Sequence, residues 1–126
     1  MGQAPWTGLR PEVVATAVVL AVGAACGGQP SPKQEAQHAA QEAIDTYGCG
    51  SCHTIPGIRG ADGLVGPPLT RFHERAYIAG QLPNTPENLV HWIMNPQEVE
   101  PGTAMPDLEV VEEDARAIAA YLHEPK

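Results

Sequence analysis

The chain has 126 residues, with 7 Lys plus Arg against 15 Asp plus Glu, a formal charge of −8. Beyond an apolar start it leaves roughly 100 residues, one domain's worth, which excludes a dinucleotide fold with a substrate domain attached; its acidity argues against nucleic acid as a partner. With 13 Gly, 13 Pro and only six aromatic side chains, part of the core is expected to come from something other than protein.

Residues 1–26 read as an export segment. Arg10 precedes Val13 to Ala25 (VVATAVVLAVGAA), 13 residues without a charge. That suits a signal-sequence core and falls short of the ~20 residues a membrane span needs. Three outcomes stay open. Ala24-Ala25-Cys26 resembles the end of a bacterial lipobox, although Gly23 stands where that motif carries an aliphatic residue, so Cys26 is a candidate for lipidation. Cleavage after Ala25, or retention as an anchor, are the others. All three put the domain outside the cytoplasm, in the periplasm or on the outer face of the cytoplasmic membrane; a fourth reading, an apolar helix of a cytosolic protein, does not. Lipidation also gives a use to the third cysteine, since Cys26, Cys49 and Cys52 cannot all pair internally. Residues 27–33 (GGQPSPK) form a flexible tether, and residues 34–126 form the domain.

Lys33 to Thr46 is rich in Ala, Gln and Glu and predicts a helix, with Ala36, Ala40, Ala43, Ile44 and Tyr47 as a weak apolar stripe and Gly48 as its stop. Residues 54–69 hold four Gly and three Pro and read as loop. Thr70 to Ala79 predicts a second helix, ended by Gly80. Thr85-Pro86 supplies a cap and a proline at the first helical position, so a third helix runs to about Met94, before Asn95-Pro96. Residues 96–106 read as loop. Glu112 to His123 is the last helix, with Ala115, Ile118, Ala119 and Leu122 on one face and acids in its first turn, where the helix dipole favours them. Val111 is a poor cap for it. No stretch alternates as a strand does. The expected fold is all-α: about four short helices joined by long loops that need something to wrap around.

Cys49-Gly50-Ser51-Cys52-His53 follows the first helix directly. Two thiols two residues apart can add across the vinyl groups of a porphyrin, and a histidine after the second can place an imidazole nitrogen on the iron. This is the attachment pattern of one covalent haem c. A thioredoxin-like pair would instead open a helix after a strand; a zinc site would need a further Cys or His pair at ligand spacing; a plain disulfide would leave His53 without a role. For the sixth iron position, Met105 is favoured because Pro101-Gly102-Thr103-Ala104-Met105-Pro106 holds it between prolines. Met94, His38, His73, His91 and His123 are the other candidates, or the position is open.

From about Ala36 to Leu122 the chain resembles a class I cytochrome c, and more narrowly the bacterial single-haem domains of, or beside, haem–copper oxidases such as the caa3 type. The resemblance rests on Tyr47 to His53, Gly66-Pro67-Pro68-Leu69, Arg75 to Gly80, Asn84-Thr85-Pro86, Trp92, Asn95-Pro96, Pro101 to Pro106 and Ala119 to Leu122. It implies that Cys49 and Cys52 form the thioethers, that His53 and Met105 are the axial ligands, and that the Pro67 carbonyl accepts a hydrogen bond from His53. It further implies that Leu69 walls the proximal side, Arg75 and Asn84 lie near the propionates, and Trp92 lies on the distal side. On the first helix, Ala40 and Ile44 replace the family's glycine and aromatic, which would loosen its crossing with the last helix.

The expected role is one-electron transfer without a substrate or enzymatic activity, in a respiratory or photosynthetic chain. The expected partners are redox proteins (a quinol-oxidising complex, a terminal oxidase or another membrane redox complex), with the membrane reached through the N-terminal segment or a lipidated Cys26. The alternative is a haem subunit of a larger dehydrogenase or nitrogen-oxide reductase. A third class, enzymatic or sensory, requires Met105 to be absent from the iron.

Overall fold

The computed structural model describes residues 1–2 and 28–125; the expected export segment and Cys26 lie outside the described residues. Helix α1 spans Pro32–Thr46. Ser31 caps it reciprocally: its Oγ accepts from the Gln34 N–H at 3.3 Å, and Gln34 Oε1 accepts from the Ser31 N–H at 2.8 Å. The helix stops as the sequence predicts. Tyr47 closes its last turn, and Gly48 follows at φ +66°, a left-handed conformation that glycine adopts without a Cβ clash.

Helix α2 spans Pro86–Met94, with Thr85 Oγ1 accepting from the Asn88 N–H at 3.2 Å. A single turn, α3, spans Pro96–Val99, inside the segment the sequence reads as loop. Helix α4 spans Glu112–His123. Val111 lends its first turn no side-chain cap; instead the Tyr47 hydroxyl accepts from the Val111 N–H at 3.4 Å and donates to Asp114 Oδ2 at 2.9 Å. The C-terminus of α1 thus ties down the N-terminus of α4.

The helix predicted over 70–79 does not form. Only Phe72–Glu74 makes a 3₁₀ turn, entered through Arg71 at φ +47°. The Phe72 and Arg75 carbonyls, which a helix would offer to N–H groups four residues on, accept instead from Asn84 Nδ2 at 2.9 and 3.0 Å. A small hairpin follows, which the sequence reading omitted: β1 (Tyr77–Ile78) pairs antiparallel with β2 (Leu82–Pro83). Its turn, closed by Gln81 N–H to Ile78 O at 3.0 Å, takes Ala79 and Gly80 through positive φ.

Helix α4 packs against both α1 and α2. Small residues bring the first pair close: Ala40 and Ala119 are 1% exposed and Ala115 is fully buried. Ile44 is 1% exposed as well, so the expected loosening at this crossing does not leave either α1 residue open to solvent. The fold is mainly helical, as expected. Its apolar helix faces do not close on each other entirely: Ile44, Leu89, Ile93, Ile118 and Leu122 belong to the core and also border a central cavity.

Candidate cofactor site

The cavity has a volume of about 380 Å³ and largely apolar walls, within the range of cavities that hold sizeable ligands. Gly48 turns the chain at the end of α1, and the 3₁₀ turn Cys49–Ser51 winds both cysteines and His53 onto its rim. The Cys49 carbonyl accepts from the Cys52 N–H at 3.2 Å and from the His53 N–H at 3.0 Å, which fixes the spacing of the three side chains. The two cysteines form no disulfide with each other. Burial pushes the Cys49 thiol up, whereas a thiol built for exchange needs a lowered value and commonly sits at a helix N-terminus. Here the pair follows a helix C-terminus, which disfavours the thioredoxin-like alternative. Among the described residues no three His, Cys, Asp or Glu side chains gather to hold a metal ion, so a zinc site lacks its ligands.

His53 Nδ1 lies 2.7 Å from the Pro67 carbonyl oxygen. A carbonyl only accepts, so the proton sits on Nδ1 and the lone pair is left on Nε2, the atom available to a metal. Gly66 makes this contact possible. A Cβ built there would lie 2.7 Å from His53 Nδ1 and 2.9 Å from Nε2, so no side chain fits beneath the ring. The Gly66 N–H donates to Cys52 O and the Leu69 N–H to Thr54 O, both at 2.8 Å, stitching the 66–69 loop to the attachment segment.

Of the nine residues predicted for the site, Cys49, Cys52, His53, Pro67, Leu69, Arg75, Trp92 and Met105 all border the cavity. Arg75 donates to the Pro68 carbonyl and stands 5.2 Å from the Phe72 ring centroid, a fixed cation on an apolar wall. Asn84 does not border the cavity. Its amide bonds the Phe72 and Arg75 carbonyls, and its Oδ1 faces His123 Nε2 at 3.0 Å, so it braces the wall from behind. Among the candidate axial side chains, Met105 borders the cavity and Met94, His38, His73, His91 and His123 do not. His123 has its other nitrogen, Nδ1, 2.9 Å from the Ala119 carbonyl. Two thiols and an imidazole on one rim, a thioether elsewhere on the wall and apolar helix faces between them fit a covalently held haem.

Two contributors escape a sequence reading focused on chemistry-bearing side chains. Gly66 acts by lacking a side chain, and Gln97 by bonding loop backbone.

A family model for cytochrome c matches residues 31–125. The chain is 36% identical over 96 residues to the cytochrome c oxidase subunit 2 of Alkalihalophilus pseudofirmus, covering 75% of this chain and 27% of that one. It is 35% identical over 85 residues to the cytochrome c oxidase subunit 2 of Bacillus sp. strain PS3, covering 64% and 24% respectively. The chain spans about a quarter of the length of these relatives. No solved structure gives a significant match.

Proposed function

The chain belongs to the cytochrome c family, and from that premise we propose that it delivers single electrons to a terminal oxidase at the outer face of the cytoplasmic membrane, with His53 and Met105 as the two iron ligands. Family membership brings one covalent haem c and the role of an electron carrier rather than an enzyme. Cys49 and Cys52 are the attachment thiols in this reading. The observation that carries it is the shared cavity: Met105, alone among the candidate axial side chains, borders the same space as His53.

When bound, the haem supplies reversible one-electron exchange between Fe(II) and Fe(III). The chain's own residues set the terms of that exchange. The Pro67 carbonyl holds the His53 proton on Nδ1, which keeps Nε2 basic and the ring in one orientation. Met105 offers a soft thioether, which raises the reduction potential relative to a second imidazole. Leu69, Trp92 and the apolar faces of α1, α2 and α4 would surround the group with apolar side chains, which disfavours the added charge of the oxidised state. Arg75, which borders the cavity, is the cation that would offset the haem propionates, and Asn84 contributes by bracing the segment that carries Arg75.

Both matched relatives are cytochrome c oxidase subunits by name, which supports a terminal oxidase as acceptor; the donor in this reading is a quinol-oxidising complex. Among the described residues no helix is long and apolar enough to cross a membrane, so membrane attachment in this reading falls to the N-terminal segment or to a lipidated Cys26. Carbon monoxide tests the ligand set. The reduced native protein is expected to bind it only slowly at neutral pH, and Met105→Ala to bind it rapidly. Rapid binding by the native protein would overturn the assignment of Met105.

A further inference from the structure

We propose that Gln97 is the positioning residue for Met105, a clamp that holds the thioether-bearing loop closed; this rests on Met105 being an iron ligand. Gln97 stands on the single turn α3, whose first residue, Pro96, is fully buried and anchors the turn in the core. Its side chain reaches across to the Met105 loop. Nε2 donates to the Thr103 carbonyl at 2.9 Å and to the Met105 carbonyl at 2.8 Å, and Oε1 accepts from the Gly102 N–H at 3.1 Å.

Chemistry fixes which end of the amide is which. Two carbonyls face one end and an N–H faces the other, so only a group with two donors and an acceptor in this arrangement satisfies all three. Glutamate has the same shape but, when ionised, would turn an oxygen toward two carbonyl oxygens. Lysine could donate but could not accept from Gly102. Among the described residues, the other hydrogen bond of residues 101–106 is Thr103 N–H to Glu100 O at 3.1 Å, within the turn itself. The prolines at 101 and 106 restrict how the loop bends, whereas Gln97 ties it to a buried anchor.

Because Gln97 is exposed, water competes for its bonds, and their loss acts on local opening of the loop more than on global unfolding. The test uses the holoprotein in three forms: native, Gln97→Ala and Gln97→Glu. The oxidised protein is followed through the weak red absorption band that marks thioether ligation, as pH is raised, and the reduced protein through its rate of carbon monoxide binding. Both variants are expected to lose the band about one pH unit earlier and to bind carbon monoxide about tenfold faster, the effect of losing roughly one net hydrogen bond. The thermal midpoint should stay close to native. A native band with unaltered variants would overturn the clamp and leave the ligand assignment intact. Band loss that merely follows a fall in thermal midpoint would make Gln97 a general stabiliser and also overturn it. A native protein without the band would defeat the assignment of Met105, and the clamp with it.

Discussion

His53 is held from two directions: the Pro67 carbonyl accepts a hydrogen bond from its Nδ1–H, and the bare Cα of Gly66 lies against its ring. Gly66→Ala forces a methyl group into that contact, and the loop cannot move aside freely because the Gly66 N–H is bonded to Cys52 O at 2.8 Å. The expected outcome is a holoprotein destabilised by about 1–3 kcal/mol, as for other overpacked sites, read from denaturant unfolding. Unchanged stability would show that the ring has room to retreat. The residues that carry chemistry were legible in the sequence because their side-chain types have few other joint uses: two thiols and an imidazole at fixed spacing, and a methionine between prolines. Gly66 enters the sequence reading only as part of a motif without a role, and Gln97 not at all, because their meaning lies in what a distant segment brings against them. Resemblance places Asn84 near the propionates; the structure adds that its amide bonds the Phe72 and Arg75 carbonyls, a bracing role that only the folded chain displays.

Among the elements, the three long helices were readable because each carries a local start or stop: Gly48 after α1, Thr85-Pro86 before α2, and the acidic first turn of α4. The stretch over 70–79 was misread because Asn84 captures the carbonyls that would propagate a helix, a tertiary effect that overrides local propensity. Strands of two residues are too short to show alternation, and α3 is a single turn. The join between α1 and α4 also turns on one side chain. The hydrogen bond to Asp114 holds the Tyr47 hydroxyl above its ordinary pKa of 10.0, so the folded state grips that proton more tightly than the unfolded chain. The contribution is therefore complete below pH 10 and is lost as pH rises through the folded-state value. Tyr47→Phe should lower the thermal midpoint by a few degrees at neutral pH, and the gap from native should narrow in alkaline solution. A gap that persists unchanged well above the tyrosine range would assign the effect to packing instead.

For the molecule as a whole, the central cavity organises everything else. The cavity of about 380 Å³ is bordered by residues of the hydrophobic core, so a ring that fills it is part of the core as well as the redox centre. It also accounts for a composition so poor in aromatic side chains and for long loops with few strands. The acidity belongs to the surface, where it affects how partners approach rather than how the chain folds. A porphyrin joined covalently through Cys49 and Cys52 stays with the chain when the protein unfolds. The intact mass of the native protein after denaturation is therefore expected to be that of the polypeptide plus one haem, retained without reduction or cleavage. A polypeptide mass alone, or one lower by the two hydrogens of a disulfide, would contradict it.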